Sequence, residues 1–189
     1  EELKKVFDAV YASVHFDGAE LSSEDKLRET KRAADYAHKK NAFIEGELGG
    51  IKGGSTTHKE SLKDVLKEEM LTNPEQAKEF VEKTGVDSLA VSIGNAHGLW
   101  KEQKQLDFDR LSQIKKNTSK FLVLHGGSGI STDDFRKAIS LGINKININT
   151  ETRIAFANAL AKGLKERKDD VPYHYLNDVS SAVAAVIEG

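Results

Sequence analysis

The chain has 189 residues and a mass of 20.8 kDa, with 38% apolar and 31% charged residues, a composition that supports an ordinary globular core. Its net charge of -2, with Lys and Arg interleaved among Asp and Glu, gives no field for nucleic acid or anionic lipid. No apolar run approaches the ~20 residues that span a bilayer, no signal-peptide pattern opens the chain, and cysteine is absent, so a cytoplasmic protein is expected.

The chain opens inside a helical pattern, with Leu3, Val6, Phe7 and Val10 on one apolar face, which predicts that further sequence precedes it. Residues 12–16 (ASVHF) read as a strand ending at Asp17-Gly18, and Ser22 to Asp25 open a charged helix reaching about Lys40. Residues 42–48 (AFIEGEL) read as a second strand with Glu45 and Glu47 on one face, and glycine-rich 49–54 as a mobile loop. A helix is expected at about 60–70, and another from the Asn73 cap and Pro74 to Gly85. Then come a strand at 86–94, a helix at 107–116, a strand at 120–125, a helix at 132–141 and a strand at 143–149. Beyond them the pattern is helical, at about 151–168 and 177–187.

Regular alternation of strand and helix, with near-continuously apolar strands, predicts parallel β/α units in a sheet covered on both faces. The polar residues gather at strand C-terminal ends, as in an α/β protein of the (β/α)8 TIM-barrel class. Five units are visible, forming one partial barrel domain over 1–189, so three more are expected before Glu1. Open strand edges in such a part predict aggregation or pairing with another copy.

Three strand ends carry the chemistry. His97 lies in GNAHG and His125 in HGGSG, so two imidazoles emerge from neighbouring strands beside glycines that let a ligand approach the backbone. His97 fits either a metal ligand or a loop histidine bonded to backbone. In HGGSG the small residues expose backbone N–H groups and the Ser128 hydroxyl just before a helix, which suits a phosphate, although glycine clusters also make plain turns. Asn147 and Asn149 share a face at the last strand, with Thr150 at its mouth, to hold hydroxyls and phosphate or to cap the next helix. Glu45 and Glu47 read as cation ligands or as ion pairs near Lys39 and Lys40. Asp17 reads as a turn residue or as a carboxylate at a barrel strand end. His15 alternates with Asp17 and reads as a satisfied core histidine; His38, His58 and His174 fall in a solvated helix, the mobile loop and a tyrosine-flanked loop.

The order of SVHFDGAELS, IEGELGGIKGG, TNPEQAKEFVEKTGVDSLAVSIGNAHG, LVLHGGSG and GINKININTETR resembles the class II, metal-dependent ketose-bisphosphate aldolases over nearly the whole chain. The resemblance implies a (β/α)8 barrel, a dimer or tetramer, and cleavage of fructose- or tagatose-bisphosphate into dihydroxyacetone phosphate and glyceraldehyde 3-phosphate. It implies a zinc ion held by three histidines, His97 and His125 among them, with Glu47 near the metal and holding it when the ion swings away, and Asp17 as a carboxylate lining the site. It further implies phosphate contacts from Gly126, Ser128 and Thr150, Asn147 and Asn149 along the substrate, and a monovalent cation, Na+ or K+, at backbone around Gly98 and Gly126.

Two departures accompany it. The family's first zinc histidine and its proton-handling aspartate lie in an HLDHG-like segment on an earlier strand, which these residues do not include. After the loop glycines, where the family carries acids, stand Ser55, Thr56 and Thr57. Two rival readings follow: a non-catalytic phosphate-binding or assembly protein derived from the aldolase fold, and another phosphate-binding barrel enzyme such as an isomerase.

Overall fold

Apolar, β-branched runs bounded by helix caps produce the expected alternation. The computed structural model describes residues 5–6, 11–166 and 170–188. Leu3, Phe7 and Val10 of the expected opening helix lie outside the described residues, while Val6 packs against the core.

Five strands, β1 (Ser13–Phe16), β2 (Phe43–Leu48), β3 (Ser88–Val91), β4 (Phe121–Leu124) and β5 (Ile143–Ile146), form one parallel sheet in sequential order. Between them run α1 (Ser23–Lys39), α2 (Leu62–Val65), α3 (Pro74–Thr84), α4 (Phe108–Asn117) and α5 (Thr132–Ser140); α6 (Thr150–Glu166) and α7 (Pro172–Glu188) follow. This is the pattern of a partial (β/α)8 barrel with five strand–helix units.

The sequence sets the starts of α1, α3, α4 and α5 by local bonds. The Ser22 hydroxyl accepts from the Asp25 N–H, Asn73 from those of Glu75 and Gln76, Asp107 from that of Arg110, and Ser131 from that of Asp134. Gly85, at φ 74°, ends α3 in the left-handed conformation that other residues adopt only with strain. The helices bury their apolar faces on the sheet: Ala33, Ala37, Phe80, Val81, Leu111 and Ile114 meet Ile44, Leu89, Val91, Leu122 and Leu124 in one cluster. At ~25 cal/mol per Å2 of apolar surface removed from water, each large side chain there contributes about 1.5–3 kcal/mol.

Three differences from the expected elements have physical causes. The helix at 60–70 is split into α2 and a 3-10 turn, Glu68–Met70, with Leu66 and Lys67 extended between them. Tertiary bonds hold the second piece: the Met70 carbonyl accepts from the Gly50 N–H, and the Arg110 guanidinium binds the Glu68 carboxylate and the Thr72 carbonyl. The final helix starts at Pro172, not Asn177, because proline's fixed φ suits a first helical turn. β3 stops at Val91 since the Asn95 side chain accepts the Ile93 N–H and donates to the Val91 carbonyl, taking over bonds a ladder would use. Consequently His97 sits on a loop past β3; β5 likewise ends at Ile146, short of the expected 149, which leaves Asn147 and Asn149 past its end. No helix among the described residues is long and apolar enough to cross a membrane.

Candidate metal and phosphate site

Strand register brings the first cluster together. His15 pairs opposite Glu45 across β1 and β2, and Glu47 lies two residues further along the same face. His15 Nε2 is 3.6 Å from Glu47 Oε2 and 4.0 Å from Glu45 Oε1. His125, immediately after β4, places Nε2 2.7 Å from Glu45 Oε1. An ionised carboxylate only accepts, so His125 donates in that bond. Lys145 on β5 holds the other Glu45 oxygen at 2.6 Å, and the Asn147 amide lies 3.3 Å from His125 Nε2. The His125 ring centre is 4.9 Å from that of His15 and 6.1 Å from that of His97.

The surroundings decide which of these groups carry charge. Burial pushes the His15 imidazole below its ordinary pKa against the pull of Glu45, with His125 adding to the lowering. Burial also lowers His97, helped by His125 and Lys104. Both rings are therefore neutral at pH 7, the form that binds metal. Burial pushes Glu45 up, but hydrogen bonds from His125 and Lys145 outweigh it and leave the carboxyl below its usual range. Glu47 goes the other way, raised by burial and by the Asp17 charge. One carboxylate is thus held ionised while its neighbour retains a proton more readily.

His15, Glu45 and His125 offer donor atoms that all lie within 4.8 Å of one another. Two imidazole nitrogens and a carboxylate oxygen are donors that zinc accepts, and catalytic zinc sites use three protein ligands with a fourth position open. This donor chemistry fits the metal. From the sequence His15 reads as a core histidine and Glu45 as a cation ligand or an ion-pair partner near Lys39 and Lys40; in the structure both belong to the cluster, and the lysine on Glu45 is Lys145.

His97 is held differently. Its backbone N–H donates to Lys52, its carbonyl accepts from Trp100 Nε1 at 2.9 Å, and its ring is hydrogen-bonded to Gly53 backbone. Asp17 is exposed and its Oδ1 caps the turn at the Ala19 N–H, yet its charge reaches His15, Glu47 and His97.

A cavity of about 480 Å3 opens beside the cluster, lined by His97, Gly98, His125, Gly126, Ser128, Asn147, Asn149 and Thr150, with Ser55 at its edge. Its floor is the loop 125–129, where Gly126 and Gly129 have φ of 62° and 78°. The Gly127 N–H donates to the Asn147 carbonyl, and the Ser128 hydroxyl accepts from the Glu151 N–H, so this loop is stitched to the start of α6. Glycine is required at position 126, because a Cβ there would stand 2.2 Å from the Ala96 carbonyl oxygen. The residues expected at the phosphate thus share one cavity, at a helix N-terminus suited to an anion.

A family model described as fructose-bisphosphate aldolase class-II matches residues 1–189. The chain belongs to that family. It is 37% identical to the fructose-bisphosphate aldolase of Staphylococcus aureus over 191 residues, which cover 100% of this chain and 64% of that protein. The YdjI aldolase of Escherichia coli K12 superposes with a TM-score of 0.71 at 36% identity, over 96% of this chain and 59% of that one. The fructose-bisphosphate aldolase of Campylobacter jejuni, 23% identical, shares the fold with a TM-score of 0.72 over 95% of this chain and 57% of that one. The chain therefore spans about three fifths of the length of these aldolases.

Three polar residues at the site went unnoticed in the sequence. Asn95 donates from its buried amide to the His125 carbonyl at 3.1 Å, fixing the backbone that carries the imidazole. Lys145 is two residues before Asn147, and that spacing was its only signal. Lys104 sits in a run of charged and amide residues that reads as solvated, yet its ammonium is buried on the carbonyls of Gly98 and Gly126, where a monovalent cation was expected.

Proposed function

We propose that the protein containing this chain is a zinc-dependent class II aldolase that cleaves and forms a ketose 1,6-bisphosphate, yielding dihydroxyacetone phosphate and glyceraldehyde 3-phosphate. One observation carries the reading: a cluster of two imidazoles and a carboxylate, His15, His125 and Glu45, stands beside the same cavity as a glycine-serine anion cradle, with His125 lining both. His15, Glu45 and His125 would hold zinc, with His97 beside them, and zinc there supplies Lewis acidity for the substrate ketone.

The remaining roles fall to the protein. Gly126, Ser128 and Thr150 bind the phosphate through N–H and hydroxyl groups, and Gly98 lines the same wall. Asn147 and Asn149 orient the sugar hydroxyls between phosphate and metal. Glu47, with its raised pKa, exchanges a proton with the reacting carbon or oxygen, and the Asp17 charge sustains that raised value. Asp17 itself faces the substrate as a second carboxylate. Residues 1–189 form one part of a barrel domain, and the whole protein is a homo-oligomer, dimer or tetramer, that works in the cytoplasm.

Metal analysis and an aldol-cleavage assay on the protein at its full natural length test the proposal. Stoichiometric zinc, cleavage abolished by EDTA and activity restored by added zinc are expected. Cleavage that persists after metal removal would overturn it; phosphate binding with no cleavage at any metal content would favour a non-catalytic phosphate-binding protein, to which Ser55, Thr56 and Thr57 in place of loop acids already lend support.

A further inference from the structure

Lys104 is among the largest fully buried side chains, at 2% exposure. Its Nζ donates to the carbonyl oxygens of Gly98 at 3.0 Å, Gly126 at 2.7 Å and Ser128 in a shorter bond. Three donors meet three acceptors, so the ammonium is fully satisfied. Two of the carbonyls belong to the 125–129 loop and the third follows His97. The residues that present them also line the site cavity, whereas Lys104 lines a second cavity with Trp100, Gly129 and Ile130. The two loops are the wall between the cavities, and Lys104 grips that wall from behind.

Three carbonyl dipoles aimed at one buried point create a negative potential that has to be answered by a cation, as in the carbonyl cages that bind K+. An ammonium on a side chain is already in place and loses no translational freedom on entering. Burial pulls Lys104 down to about 8, and Glu151 opposes that fall. At pH 7 it is still mostly charged, by about ten to one.

We propose that Lys104 is a built-in substitute for a free monovalent cation: its ammonium fills a cage formed by the His97 loop and the anion-binding loop, locks the two together, and places positive charge behind the phosphate. The last clause rests on the phosphate reading of 125–129 given above; the cage itself does not. A free K+ or Na+ is then unnecessary in the native protein, and removing the lysine side chain creates a site for one.

The test uses the full-length protein, its Lys104→Ala and Lys104→Met variants, and chloride salts of K+ or tetramethylammonium at equal ionic strength. The wild type should melt at the same temperature in both salts, and 15N-lysine labelling should reveal a slowly exchanging ammonium signal. Lys104→Ala should melt several degrees lower in tetramethylammonium and recover most of that loss in K+, with 205Tl+ binding seen only in the variant. Inorganic phosphate affinity should fall about tenfold in the variant without K+ and return with it, tenfold being the loss of one charge-assisted contact. Melting of the wild type that depends on K+, or variants indifferent to K+, would overturn the proposal. Variants that fail to fold leave the wild-type salt and ammonium measurements to decide. Absence of phosphate binding by the wild type in either salt would refute the phosphate reading and the last clause, while the melting and Tl+ measurements still judge the cage.

Discussion

The loops 94–98 and 125–129 look like copies in the sequence, each a histidine among glycines after an apolar strand, yet the structure holds the two imidazoles by different means. His125 is fixed through its ring, by Glu45 at 2.7 Å and Asn147 at 3.3 Å, while His97 is fixed largely by backbone bonds to the 49–54 loop. His125 therefore reports the charge state of the cluster. His97 reports the position of the glycine loop. Similar motifs at adjacent strand ends thus acquire unlike duties from what the neighbouring strands put beside them.

The largest way to break this pairing is Gly126→Ala, since the new Cβ collides with the Ala96 carbonyl of the facing loop. A loss of about 3 kcal/mol in urea unfolding is expected, in the range of severe backbone clashes. Unchanged stability would mean the loops move independently. Next, His125→Ala should abolish stoichiometric zinc in metal analysis and destabilise the apo protein by about 1–3 kcal/mol, because buried Glu45 loses a partner. His15→Ala and His97→Ala should each weaken zinc binding less than His125→Ala, by about tenfold to a hundredfold, because only His125 belongs both to the cluster and to the expected pair with His97. A greater loss from His97→Ala would shift the metal toward that loop.

Acid sharpens the contrast further. The lowered folded-state pKa of His15 and His97 means the unfolded chain binds protons first as pH falls. Their contribution is present above the ordinary histidine pKa of about 6.5 and is lost below it. Urea titrations of the apo protein should show stability falling from pH 7 toward pH 5, less steeply in the His15→Ala, His97→Ala double variant. Glu47 has the opposite sign: with its folded pKa raised, ionisation at pH 7 is unfavourable, and that penalty vanishes below its unfolded pKa. Glu47→Gln should raise the urea midpoint slightly at pH 7 and leave it unchanged near pH 4. An equal gain at both would assign the effect to packing instead.

Local signals read well. Caps at Ser22, Asn73, Asp107 and Ser131 mark helix starts because the bonds that make them span only two or three residues. The fold class followed from alternation, and the His125, Ser128, Asn147 and Thr150 cavity from residues near strand ends. What stayed hidden depends on register between distant strands. Glu45 meets Lys145 across 100 residues of sequence, and His15 meets His125 only because β1, β2 and β4 lie in order. A buried lysine such as Lys104 has no sequence mark at all, since its carbonyl partners are backbone.

The strand order carries a consequence for assembly. Each strand from β2 to β5 pairs with the one before it in the chain, so these β/α units find their template already synthesised and add to the growing edge. The cluster of His15, Glu45, His125 and Lys145, however, draws on β1, β2, β5 and the end of β4 together. During vectorial synthesis the scaffold can therefore form unit by unit, while the cluster gains its full set of hydrogen-bond partners only when Lys145 and Asn147 arrive.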